Sequence, residues 1–98
     1  MTTTVDKIIH SLETNERWTL SEKHPMLEAY LSYHGLFIQI ESYYAWIFWL
    51  TKVFVNGTRL AMSRKDAKRV RRAQCTALQQ KHKRMQERLT ALLKEREF

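Results

Sequence analysis

Apolar residues recur near the start of the chain at Val5, Ile8, Ile9 and Leu12, the i, i+3, i+4, i+7 spacing that places all four on one side of a helix. With Thr4 as N-cap and Asn15 as stop, the pattern predicts a short amphipathic helix. Its other side mixes Asp6, Lys7, His10 and Glu13, as expected of a helix that covers a core and shows solvent a balanced polar face. Residues 16–24 then read as a connection from which Trp18 and Leu20 reach into the core, and Pro25 suits the first position of a following helix.

Residues 26–55 are dense in apolar and aromatic side chains. The stripe Leu36, Ile40, Tyr43, Ile47, Leu50, Phe54 keeps a period near 3.5 and predicts helix, with Gly35 as a C-cap that divides the region in two. A second face, Phe37, Tyr44, Phe48 and Val55, is nearly as apolar, which suits a central core helix, a membrane span or a helix that gives one face to a partner. Two rivals compete. Asn56-Gly57 between apolar runs is a hairpin signal, and Phe37-Ile38-Gln39-Ile40 can be a strand. Residues 36–55 also carry only Glu41 and Lys52 as charges, so a membrane-spanning helix competes, although both charges, Gln39, Trp46 and Trp49 fall inside the span rather than at its ends.

The final segment opens with Ser63-Arg64-Lys65-Asp66, a capping box with Asp as its acid, and continues without Gly or Pro in strong helix formers. One long helix from about residue 64 to about residue 95 is expected. Its apolar seam is thin: Val70, Ala77, Leu78, Met85, Leu89, Leu92 and Leu93, interrupted by Cys75 and His82. A weak helix pair, within a chain or in a homodimer, fits that seam better than an extended zipper. The expected fold class is therefore all-α, one domain over residues 1–98, with an aromatic-rich helical module over 1–62 and a long basic helix over 63–98. The alternative is an α fold with a short β-hairpin around Asn56-Gly57.

Charge changes the picture next. The 98 residues carry a net +7, but residues 1–58 hold four Lys/Arg against six Asp/Glu and residues 59–98 hold thirteen against four. The positive excess belongs to the last helix. In Arg64, Lys65, Lys68, Arg69, Arg71 and Arg72 it has six cations within nine positions, and Lys81, Lys83, Arg84 and Arg88 continue the charge. On a helix Arg64, Lys68, Arg71 and Arg72 share one side, with Lys65 and Arg69 extending the zone around it. Each like-charged pair costs a few tenths of a kcal/mol, roughly, which an acidic protein surface or phosphate would relieve. Without a recognition-helix polar set or zinc-finger spacing, direct sequence readout of nucleic acid is unsupported.

Other chemistry is sparse. The single cysteine, Cys75, forms no internal disulfide and fits a reducing compartment; with no basic, apolar leader at the start, a cytoplasmic protein is expected. His10, His24, His34, Cys75 and His82 lack close metal-ligand spacing. No glycine-flanked nucleophile or phosphate loop is visible, so no catalytic residues, metal or cofactor are expected. Pro25 forms the sole X-Pro bond, a site on which a prolyl isomerase could act. A small chain with 44% hydrophobic residues buries only roughly two-thirds of its unfolded surface, leaving aromatics for a protein partner. Tyr43, Trp46 and Trp49 are the expected anchors, with Arg69, Arg71 and Arg72 supplying charge. The rival is non-sequence-specific DNA or RNA binding through Arg64, Lys65, Lys68, Arg69, Arg71, Arg72, Lys81 and Arg84.

The short cysteine-poor start, the aromatic block SYYAWIFWLTKVFVNG at 42–57 and the basic helix SRKDAKRVRRAQC at 63–75 resemble, in layout, small temperate-phage accessory proteins of the anti-RecBCD recombination-modulator type. That resemblance implies a non-enzymatic protein in the host cytoplasm that docks on the RecBCD exonuclease-helicase and modulates its nuclease and recombination activity. It transfers no binding residues.

Overall fold

The computed structural model describes residues 3–45 and 47–95, so Trp46 lies outside the described residues. The chain begins with helix α1 (Thr4–Thr14), passes through five strands, β1 (Thr19–Lys23), β2 (Met26–Tyr33), β3 (Leu36–Ala45), β4 (Phe48–Val55) and β5 (Thr58–Arg59), and ends in helix α2 (Arg64–Glu95). The strands form one antiparallel sheet in the order β1-β2-β3-β4-β5. The expected all-α fold is overturned: residues 26–33, 36–45 and 48–55 are strands, and the protein is mixed α/β. The hairpin alternative falls short as well, because the β4–β5 hairpin at Asn56-Gly57 is only the last and shortest part of the sheet. The membrane-helix rival loses its helix, and no helix among the described residues is long and apolar enough to cross a membrane.

The physical reason lies in two faces that both carry large apolar side chains, the second interleaving them with Glu28, Gln39, Glu41 and Lys52. Leu27, Ala29, Leu31, Ile38, Ile40, Ser42 and Val53 are buried on one face of the sheet, and they alternate with Met26, Tyr30, Phe37, Tyr43, Leu50 and Phe54 on the other. Because the second face carries aromatics among its polar residues, the period of two is masked and a near-helical stripe can be drawn through it. Thus Ile40 of that stripe is buried, whereas Tyr43, Leu50 and Phe54 share the opposite face. The turns decide the matter. His34 and Gly35 (φ 46° and 79°) and Asn56 and Gly57 (φ 50° and 83°) are two-residue loops with both residues left-handed, the geometry that matches strand twist in a hairpin. Gly35 therefore caps no helix. Pro25 starts none either: it sits in the β1–β2 turn, with a cis His24-Pro25 peptide bond.

Both helices lie on the same face of the sheet. Val5, Ile8 and Leu12 of α1 and Val70 and Ala73 of α2 join Ala29, Leu31, Ile38, Ile40 and Val53 in one core, closed at one end by Trp18. The indole N–H of Trp18 donates to Ser11 Oγ at 3.0 Å, so the buried ring leaves no orphan donor. Thr3, rather than Thr4, is the N-cap of α1, in a reciprocal capping box with Asp6. Ser63 Oγ accepts from the Asp66 N–H at the start of α2. Past Arg84, α2 stands clear of the core, with Met85, Leu89, Leu92 and Leu93 exposed.

A buried polar chain runs beneath the sheet. Ser42 Oγ donates to Gln74 Oε1 at 2.6 Å and lies 3.1 Å from Thr51 Oγ1. A hydroxyl has one proton, so Thr51 must donate to Ser42. Gln74 is 2% exposed and its Nε2 has no partner, an arrangement that costs about 1–3 kcal/mol. Replacing both ends of the short bond, Ser42→Ala with Gln74→Met, is expected to leave the denaturation midpoint unchanged or raise it. Gln74→Ala alone should lower it, since a cavity replaces the side chain.

Candidate partner-binding groove

The cations of α2 divide into two sets according to the side of the helix they occupy. Arg69 faces α1, where its guanidinium donates to Asp6 at 2.6 Å and to Asp66 at 3.1 Å. Lys81 donates to the Leu20 carbonyl at 3.1 Å, and Arg84 pairs with Glu16 at 3.2 Å. These three fasten α2 to α1, to β1 and to the connection between them, which removes them from the free cationic surface that the sequence suggests. The others, Arg64, Lys65, Lys68, Arg71 and Arg72 near the start of α2 and Lys83, Arg88 and Lys94 further along it, make no ion pair among the described residues.

The Arg69 bond is readable in the titration of Asp6. The Arg69 guanidinium, foremost, and the capping bonds from the Thr3 backbone and hydroxyl hold the carboxyl down at about 2, and the hydrogen bonds to Asp6, foremost, and Asp66 push Arg69 up. A depressed carboxyl adds stability that is present above its ordinary range and is lost as pH falls through its folded value. Arg69→Met is therefore expected to return Asp6 toward ordinary carboxylate titration, measurable by NMR, and to shrink the loss of stability on acidification from about 4 to about 2.

Arg64, Lys68 and Arg71 border a groove between the first turns of α2 and the first half of β4. The groove has a volume of about 700 Å³ and its other wall is Ile47, Phe48, Trp49, Leu50 and Thr51, with Met62, Ser63 and Ala67 completing the lining. Trp49 is placed by register: it lies opposite Tyr44 on β3, with ring centroids 5.2 Å apart. The Arg71 guanidinium lies over the Trp49 ring, 5.6 Å from its centroid, a cation–π contact worth about 0.5–1 kcal/mol at a half-exposed site. Among the described residues, no carboxylate lines the groove.

Of the expected anchors, Trp49 and Arg71 thus meet. Arg72 and Lys65 are exposed on the solvent side of α2 and do not line the groove. Tyr43 is 43% exposed on the opposite face of the sheet from Trp49, in register with Leu50 and Met26. It belongs to a second surface in which Tyr30 stacks on Phe37 at 6.2 Å and donates its hydroxyl to Glu28. Glu28 and Glu41 stand side by side there, so that face is no extension of the cationic one. Thr51, Met62 and Ala67 were not legible as site residues; only the alternation of β4 and the short Leu60–Ser63 link to α2 bring them to the groove. His10, His24, His34, Cys75 and His82 do not gather: no group of three or more metal-ligating side chains forms among the described residues.

Fold and groove together define a five-stranded antiparallel meander, covered on one face by two helices, with an apolar and cationic groove at the open side of its fourth strand. No family model, no curated protein and no solved structure matches the chain.

Proposed function

We propose that the protein is a non-enzymatic binding protein whose β4–α2 groove docks on an acidic surface of a partner protein. The layout resemblance directs that proposal to a host DNA-processing enzyme, the RecBCD exonuclease-helicase, whose nuclease and recombination activity the bound protein modulates. The observation that carries the docking reading is the half-exposed Trp49 under Arg71, beside two further cations with no internal counter-charge. Trp and Arg are the residues most often found where truncation costs a complex about 2 kcal/mol or more. Degradation of linear duplex DNA by purified RecBCD tests the enzyme's identity. Saturating protein is expected to change the rate, and an unchanged rate removes RecBCD as the partner.

A second reading is direct, sequence-independent nucleic-acid binding, favoured by five cations near the start of α2, Arg64, Lys65, Lys68, Arg71 and Arg72, that lack ion pairs among the described residues. If all five met duplex phosphates, log K would fall with log salt at a slope of about −4.5. Fluorescence anisotropy with a short labelled duplex measures that slope. The docking reading expects no tight complex with DNA alone at physiological salt.

A further inference from the structure

We propose that the groove takes up its partner by strand addition: an acidic, extended segment of the partner protein pairs with the open edge of β4 at Trp49 and Thr51. The proposal rests on the docking function above and specifies the form of the occupant.

The edge follows from the register. Asn56 N–H donates to the Phe37 carbonyl at 2.7 Å, and the Leu60 N–H donates to the Val53 carbonyl at 2.8 Å from the other side of β4. Backbone groups alternate sides along an antiparallel strand, so Phe48, Leu50, Lys52 and Phe54 address β3 while Trp49, Thr51, Val53 and Val55 address the side of β5. But β5 pairs only with Phe54 and Val55, and after Leu60 the chain leaves for α2. The N–H and C=O groups of Trp49 and Thr51 are left without a backbone partner among the described residues.

The sheet's opposite edge is treated differently. There β1 is short, ends in Glu22 and Lys23, and has the Leu20 carbonyl capped by Lys81 Nζ. Such devices protect an edge from pairing with other chains. At β4 the edge is instead flanked by the groove, whose length along residues 47–51 suits about five extended residues, at about 3.4 Å each.

Charge and side-chain direction then specify the segment. Side chains of an added strand that point to the helix face meet Arg64, Lys68 and Arg71 with no competing carboxylate, so these positions favour Asp or Glu. Side chains on the other face lie beside Phe48 and Leu50, 54% and 45% exposed, and favour β-branched or aromatic residues. Alternating acidic and apolar residues meet both demands. Nucleic acid satisfies the cations but offers no strand backbone for the edge amides, and a second copy of β4 would bring two sets of Arg64, Lys68 and Arg71 together.

The test is an NMR titration of the full ¹⁵N-labelled chain with the capped peptide Glu-Val-Glu-Val-Glu-Val-Glu. Saturation is expected to shift the Trp49 and Thr51 amides and slow their hydrogen exchange. The same peptide methylated on every backbone nitrogen keeps its charge but loses its donors, and should bind at least about tenfold more weakly. Thr51→Pro deletes a donor that faces the open edge, not β3, and should weaken binding similarly. Absence of binding at millimolar peptide overturns the proposal. So does equal binding of the methylated peptide, or a dimer that protects the same amides without peptide. If partner binding is lost with Trp49→Ala but kept with Thr51→Pro, strand addition is overturned while docking through the groove stands.

Discussion

Reversing two charges, Lys68→Glu with Arg71→Glu, is expected to weaken partner binding by about a hundredfold or more while leaving the fold intact. The magnitude follows from removing two cations from a groove with no carboxylate and placing repulsion in their stead. It also removes the cation that lies over Trp49. The fold is spared because neither side chain makes an internal ion pair. Helical stability should even rise by a few tenths of a kcal/mol, roughly, as the i, i+4 repulsion between Arg64 and Lys68 becomes attraction. Arg69→Glu is the informative contrast. It sets a third acid against Asp6 and Asp66, so it should lower the thermal midpoint and affect binding only through that loss. Isothermal titration calorimetry for affinity and circular dichroism melting for stability separate the two effects.

Ile40→Ala carries the largest expected effect on the fold itself. Ile40 is completely buried on the central strand, in register between Ala29 and Val53 and beneath both helices. Truncation there removes apolar contact and leaves a cavity that the sheet cannot collapse, at a cost of about 2–5 kcal/mol. A domain of this size has about 5–15 kcal/mol in all, so at mid-range values urea denaturation should show a midpoint lowered by about a third with little change in slope. Leu89→Ala, on the part of α2 that stands clear of the core, should change the unfolding free energy by less than about 0.5 kcal/mol. Equal effects at the two positions would contradict the placement of the core.

The helices were legible because each buries one stripe. Val5, Ile8 and Leu12 face the sheet as their spacing dictates, and α2 runs from Arg64 to Glu95 with its start marked by Ser63. The sheet was hidden by its own uncovered face: Tyr30, Phe37, Tyr43, Leu50 and Phe54 fill the positions that polar residues occupy in a half-buried sheet, so alternation lost its contrast. His34-Gly35 adopts the same left-handed pair as Asn56-Gly57, but His-Gly is a weaker signal, and reading Gly35 as a helix stop hid the β2–β3 hairpin.

The site divides in the same way. Charge density alone cannot say which cations are already engaged, because Asp6 lies 63 positions from Arg69 in the chain yet 2.6 Å from it in the fold. Arg69, Lys81 and Arg84 are fasteners for that reason, and Arg64, Lys68 and Arg71 form the groove. Composition alone does not separate Tyr43 from Trp49 as anchors. The β3–β4 register does, because it pairs Tyr43 with Leu50 and Trp49 with Tyr44, so that the two rings take opposite faces of the sheet.

Recovery of a defined protein from nuclease-treated host lysate, compared between the parent chain and Lys68→Glu/Arg71→Glu, tests the central claim most directly. The account predicts that the partner survives nuclease and moderate salt with the parent chain and is lost with the variant. Recovery of nucleic acid alone, or a partner held equally well by the variant, would contradict it.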